Sequence, residues 1–254
     1  MTLPSLSFLA VPGVPEVQPG ADLSKLLIDC IDAAGLELAN GDVLAVAQKI
    51  VSKAENRLVD LNDVEPSPNA LSLAYAGGKD PRLAELILRE SNRVVRDTPT
   101  VIIVEHRSGI VLANAGIDRS NVVGNDDIVL LLPEDADASA ANLKKRLDER
   151  YDASIGVLIT DSVGRPWRLG TTGIAIGCAG IEAMNDMRGD RDRFGRVLQV
   201  AEVATADCLA GAAGLVMGEG AEGVPVVIVR GAGAGTAGQT ARDILRPTDE
   251  DLFQ

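Results

Sequence analysis

The apolar residues of this chain come in strand-sized runs and in no longer ones, and that punctuation limits the fold more than any other feature. Val43 to Ala47, Val101 to Val104, Ile128 to Leu132, Ile155 to Thr160 and Val224 to Val229 are each bounded by polar or turn-forming residues. None approaches the ~20 apolar residues of a membrane-spanning helix. Between the runs the pattern changes to the helical period. Asp22 is placed to cap a helix with Leu23, Leu26, Leu27 and Cys30 on one face. Two further helices are expected between Ser67 and Asn92, separated by Gly77–Gly78 and Asp80–Pro81. Others are expected from Ser139 to Tyr151, capped by Asp137 or Ser139, from Ala201 to Met217, and over Ala241 to Leu245. Val101 to Glu105 and Gly109 to Ala113 read as a hairpin with Arg107–Ser108 near its turn, and Gly173 to Ala179 as a further strand. Hairpins mixed with helices predict an α+β (mixed α/β) protein rather than a repeating βαβ wheel. With 254 residues, 46% of them hydrophobic, the chain builds one large domain or two small ones. A boundary, if there is one, falls near residues 65 to 80.

The formal net charge of −13 excludes a phosphate-backbone partner, which needs a basic face, and 2% aromatics leave no base-stacking platform. Nucleic acid and membrane are therefore not expected partners. An acidic protein still binds anions where metal cations or a few lysines and arginines reverse the local field. The opening MTLPSLSFLA lacks a basic segment followed by an apolar one, so no signal peptide is expected. Cys30, Cys178 and Cys208 are widely spaced and odd in number, which fits reduced thiols in a cytoplasmic protein and argues against structural zinc. His106 is the single histidine and reads as a strand-end residue.

Four stretches put Gly, acidic and hydroxyl or amide residues at expected strand ends. In Asn114-Ala115-Gly116-Ile117-Asp118-Arg119-Ser120-Asn121, Asp118 offers oxygen to a hard cation and Asn121 offers a hydrogen-bond donor to a ligand. An Asx-turn explains Asp118 equally well. Thr160-Asp161-Ser162, followed by Gly164-Arg165-Pro166-Trp167-Arg168, joins a carboxylate and a hydroxyl to two arginines suited to carboxylate or phosphate oxygens. A solvated turn is the competing reading there, with Trp167 as core packing. Met217-Gly218-Glu219-Gly220-Ala221-Glu222-Gly223 is either a third carboxylate with backbone amides open to phosphate, or a glycine helix cap. Gln48-Lys49-Ile50-Val51-Ser52-Lys53-Ala54-Glu55 follows a buried strand, and Lys53 either faces a phosphate or sits on a solvated helical turn. Singly these are weak signals; together they describe a metal–phosphate site.

Two other motifs carry no such weight. Gly233-Ala-Gly235-Thr-Ala-Gly238 spells GxGxxG, but too little chain follows to complete a βαβ unit. Gly78–Lys79 lacks the earlier Gly and the following Ser or Thr of a phosphate-binding loop.

Taken together the stretches resemble the coenzyme F420 gamma-glutamyl ligase family. The matching pieces are Gly13-Val-Pro15-Glu16 with Gly20, Gly41-Asp42-Val43 through Glu55, Asn114 to Asn121, Pro133 to Ala140, Ile159 to Arg168, Leu215 to Gly218, and Val226 to Gly231. They span residues 11 to 231, nearly the whole chain, and are specific in combination.

The resemblance implies a two-lobed fold and an intertwined homodimer. It implies a single ligase unit over residues 1 to 254, without the fused C-terminal nitroreductase-like domain of some members. It also implies a GTP-dependent ligase that adds L-glutamate to the lactyl carboxylate of coenzyme F420-0 through an acyl phosphate, then further gamma-linked glutamates. Two divalent cations, Mg or Mn, assist, together with K. Carried over by position, Asp118, Asp161, Ser162 and Glu219 are metal ligands. Val14, Pro15, Glu16, Val17, Gln48, Lys53 and Asn121 meet the guanine nucleotide, with Met217, Gly218, Gly220, Ala221 and Glu222 near its phosphates. Ser162 stands where Thr is usual, and Glu219 where Gln is common. Arg165 and Arg168 join Asp118 and Asp161 as catalytic candidates. The residues alone also allow a metal-dependent phosphotransferase or hydrolase, or a GTP-binding module without turnover.

Overall fold

A computed structural model describes residues 5–122, 124–233 and 238–251. In chain order its elements begin β1 (Ser7–Ala10), α1 (Leu23–Ala33), β2 (Val43–Ala47), α2 (Gln48–Ala54), β3 (Leu58–Asp60), α3 (Pro68–Gly77) and α4 (Pro81–Arg89). Then follow β4 (Ser91–Asp97), β5 (Ile102–His106), β6 (Val111–Ala113), β7 (Ile128–Leu130), α5 (Ala136–Tyr151), β8 (Gly156–Arg165) and β9 (Arg168–Ala179). The last are β10 (Asn185–Asp186), β11 (Glu202–Val203), α6 (Thr205–Met217) and β12 (Val226–Arg230). The fold is mixed α/β, as the run pattern predicts.

Its centre is a five-stranded sheet in the order β1-β12-β2-β8-β9, in which β2 and β8 are parallel and the other pairs antiparallel. Strand β2 is covered on both faces, which is why it reads as an unbroken apolar run. Leu44 and Val46 pack with Leu27 and Ile31 of α1 and with Leu143 and Leu147 of α5. Val43 and Ala45 face Ala206, Leu209, Ala210 and Ala213 of α6 on the other side. The small side chains of α6 bring its backbone close to the sheet. At Gly177 a Cβ would collide with the Ala136 carbonyl at the start of α5. Gly177→Val is therefore expected to destabilise the fold by about 3 kcal/mol, the upper end of overpacking costs, measured by urea denaturation.

A second set of elements lies between residues 57 and 131, with apolar clusters of its own. Leu61, Val64, Leu86, Val129 and Leu131 form one, and Ile87, Ile102, Val104 and Ala115 another. They close over the antiparallel pair β3–β7 and the sheet β4-β5-β6.

Several boundaries differ from the sequence expectation for identifiable reasons. Asp22 caps α1 as the pattern predicts, and the two helices between Ser67 and Asn92 are capped by Ser67 and Asp80. Helix α5, however, starts earlier and is capped by Asp135, whose carboxylate accepts from the Ala138 amide. Asp137 instead accepts from the amides of Cys178 and Ala241, tying the helix start to β9 and to the C-terminal 3-10 turn Ala241–Ile244. Strand β4 falls on the polar stretch after Arg89, where the helix ends short of Asn92. Helix α6 begins at Thr205, after β11 has taken residues 202 and 203. The largest correction concerns Thr160 onwards. That stretch continues as strand through Arg165, so β8 and β9 form one long hairpin. Trp167 sits at its turn and is 87% exposed, not core packing. The stretch from Gly231 to Gly238, with its GxGxxG spelling, lies partly outside the described residues. Among those described, no helix is long and apolar enough to cross a membrane.

Candidate functional site

The parallel pairing of β2 with β8 sets Ala47, at the C-terminal end of β2, beside Thr160, and at this edge of the sheet β8 runs on past its neighbour to Arg165. Such an edge is where open α/β sheets place ligands. A cavity of about 410 Å³ opens there, within the range of small-molecule sites. One wall is the loop of Val14, Pro15, Glu16 and Val17; a second is Gln48, Lys49 and Lys53 on α2. Thr160, Asp161 and Ser162 of β8 form the floor, and Met217, Gly218, Glu219, Gly220 and Ala221 close the far side. Asn121 reaches in from the second set of elements, its amide Nδ2 donating to the Gly220 carbonyl at 3.4 Å.

Most of the residues singled out in the sequence therefore line one cavity, although they lie far apart along the chain. Four candidates do not. Glu222 sits behind the wall, its carboxylate accepting from the Gly220 amide at 2.8 Å. It packs beneath Gly218, which at φ +75° has no room for a Cβ. Arg165 and Arg168 are at the exposed hairpin turn, outside the cavity wall. Asp118 is off the wall as well but joined to it, with Oδ2 2.7 Å from the Lys49 ammonium. Its Oδ1 accepts from both the amide and the hydroxyl of Ser120, each at 2.8 Å. The Asx-turn and the ligand readings of Asp118 are thus compatible. Lys49 itself escaped the sequence reading, which chose Lys53; nothing local marks which of two helical lysines meets Asp118.

The polar groups on this cavity are unevenly satisfied. Gln48 is buried, and its Oε1 accepts from the Ser52 hydroxyl at 2.9 Å while its Nε2 has no partner. A buried donor left unpaired costs about 1–3 kcal/mol, which a ligand acceptor would recover. Lys53 is held by Glu16 at 2.5 Å and by the Asn121 carbonyl at 2.9 Å. The Ser162 hydroxyl donates to Glu219 at 3.0 Å.

Burial pushes the Asp161 carboxyl up to about 7, the Asp118 and Glu219 charges adding to the rise, while the Ser162 amide and Lys49 oppose it. At Asp118 burial works the same way, but Lys49 and Ser120 outweigh it and the carboxyl lies below the ordinary range. The oxygen donors Asp118, Asp161, Ser162 and Glu219 have the chemistry that Mg or Mn prefers. Among the described residues no three carboxylate, His or Cys side chains converge into a metal cage. Lys49 holds the Asp118 oxygen that such a cage would need.

A stability test follows from Asp161. Between its ordinary value near 4 and about 7, the folded chain keeps a proton that the unfolded chain has released, so stability falls as pH rises through that window. In chelator, Asp161→Asn is expected to be more stable than wild type at pH 8 and no more stable at pH 4, by urea denaturation. Equal stability at both pH values would remove the strained-carboxylate account.

Comparison with known proteins gives a consistent result. The sequence model of a family described as F420-0:gamma-glutamyl ligase matches residues 13–231. A protein of Methanopyrus kandleri named coenzyme F420:L-glutamate ligase is 47% identical over 256 residues, covering 99% of each chain. One of the same name from Methanothermobacter thermautotrophicus is 43% identical, covering 98% of this chain and 99% of its own. Another from Natronomonas pharaonis is 46% identical over 87% of this chain and 85% of its own.

Proposed function

This chain belongs to the F420-0:gamma-glutamyl ligase family, and from that premise we propose that it joins L-glutamate to coenzyme F420-0 at the expense of GTP. The observation that supports the reading best is a single cavity lined by the Asp161 and Glu219 carboxylates and the Ser162 hydroxyl together with the orphaned Gln48 amide, Lys53 and Asn121. That lining suits a ligand carrying both a metal-bound phosphate chain and hydrogen-bonding groups.

A free carboxylate is too poor an electrophile for an amine, so the acceptor has to be activated. In the proposed sequence an oxygen of the F420-0 carboxylate attacks the γ-phosphorus of GTP, the bond to the β-phosphate oxygen breaks, and GDP leaves. The glutamate amine nitrogen then bonds to the carbonyl carbon of the acyl phosphate, loses a proton, and inorganic phosphate departs. Asp118, Asp161, Ser162 and Glu219 would hold the divalent cations. When bound, these supply charge neutralisation and polarisation of the phosphate oxygens. Gln48, Lys53 and Asn121 would bind and orient the nucleotide, and the apolar wall of Val14, Val17 and Met217 would exclude water. No histidine or cysteine nucleophile is needed. Arg165 and Arg168 lie outside the cavity wall and would not touch its ligand within one chain. The same reading includes a homodimer, whose mass sedimentation measures directly.

The test is one incubation with GTP, Mn, glutamate and F420-0, read by mass spectrometry. A product heavier by one glutamate residue, with stoichiometric GDP, is expected. GDP without a heavier product would make the protein a hydrolase, and nucleotide binding without GDP a non-catalytic module.

A further inference from the structure

Building on the metal site proposed above, we infer that Lys49 is a built-in counter-cation which a divalent ion must displace from Asp118 before it binds. The Lys49 ammonium lies 2.7 Å from Asp118 Oδ2 and 2.9 Å from the Ser120 hydroxyl, with the lysine and aspartate side chains 27% and 24% exposed. It occupies the carboxylate oxygen left over after Ser120 has taken the other. Of the two lysines on the cavity wall, Lys53 is committed to Glu16 and Asn121. Among the described residues of that wall Lys49 is thus the cation left to face the Asp118 and Asp161 carboxylates.

Two effects then oppose a divalent ion binding alone. The ion pair to Asp118 has to break, and the ammonium, tethered to α2, remains close enough to repel the incoming charge. Neither penalty applies fully once an anion enters the cavity, because the released ammonium gains a new partner there. Lys49 therefore couples the two binding events: metal favours anion and anion favours metal, by the reciprocity of linked equilibria. The resting chain keeps the Asp118 charge paired, and the divalent ion is retained best when the phosphate-bearing ligand arrives with it.

The experiment measures Mn binding to the full chain without nucleotide, by the loss of the free-ion electron paramagnetic resonance signal. Wild type, Lys49→Met, Lys49→Arg and Asp118→Asn are compared, each first shown by circular dichroism to be folded. Lys49→Met is expected to bind Mn about fivefold more tightly and to gain more in melting temperature when Mn is added. Lys49→Arg keeps the cation and stays within about twofold of wild type on the same reasoning. Unchanged or weaker binding by Lys49→Met, while Asp118→Asn loses Mn, would overturn the role of Lys49 and leave the metal site standing. Undiminished binding by Asp118→Asn would remove the metal site at that residue and the inference with it.

Discussion

Asp118→Asn is expected to lower glutamate- and F420-0-dependent GDP formation by roughly three orders of magnitude while leaving the protein folded. Metal-borne charge stabilisation is worth several kcal/mol at the transition state, and about 1.4 kcal/mol is one decade in rate. The substitution keeps the size of the side chain and an oxygen able to accept from the Ser120 amide and hydroxyl. What it removes is the negative charge, and with it the attraction for Lys49 and for any cation. A partly exposed ion pair of this kind contributes about 1 kcal/mol to stability, so the melting temperature should fall by only about 2–4 °C. The two readouts separate the roles. A large loss of turnover with a small loss of stability supports Asp118 as a ligand, and near-normal turnover would sink that role outright.

That Asp118 was visible in the sequence and Lys49 was not shows how far a linear reading reaches. Features set by neighbours along the chain were legible. Val43 to Ala47 is apolar throughout because both faces are covered, and Asp22 caps its helix through the amide three residues on. Features set by distant pairing were not. Strand β4, Ser91–Asp97, is mostly exposed and polar, and owes its conformation to hydrogen bonds with β5 rather than to a hydrophobic period. Beyond Thr160 the hairpin of β8 and β9 carries glycines and polar residues that read as a loop. This misreading also misplaced the arginines. Four residues in a turn lie close together, but four residues along a strand move about 13 Å, enough to carry Arg165 from the cavity floor to the hairpin tip. The Lys49–Ser120 contact spans 71 residues, and no local pattern encodes it.

The second large effect is expected far from the cavity, at Glu90. This buried carboxylate, just past the end of α4, lies 2.7 Å from the Arg57 guanidinium, 3.2 Å from that of Arg107 and 3.7 Å from His106 Nε2. Its own carbonyl accepts from the Arg107 amide at 3.0 Å, and Arg57 donates on to the Leu132 carbonyl at 2.9 Å. One side chain thus ties α4 to the β5–β6 turn and to the chain entering β3. Glu90→Ala would strand a largely buried Arg57 and a His106 nitrogen that already has no hydrogen-bond partner. Breaking such a buried pair from one side costs about 3–5 kcal/mol, which in a chain of this size corresponds to a melting temperature lower by roughly 10 °C. Burial alone would raise the Glu90 carboxyl, but His106, Arg57 and Arg107 outweigh it and hold the group below the ordinary carboxylate range. A lowered value means the unfolded chain takes up its proton first as pH falls. The stabilisation is therefore complete above the unfolded value near 4.3 and is lost as pH drops through the folded one. Wild type should lose stability steeply on the acid side, whereas Glu90→Gln, of the same shape but uncharged, should start lower and show a flatter acid limb. Because Glu90 is absent from the cavity wall, both variants should retain ligase activity per folded molecule at temperatures below their transitions. An alanine variant melting within about 2 °C of wild type, or an unaltered acid limb in the glutamine variant, would show that the arginines find water instead and that the cluster contributes little to holding the two regions together.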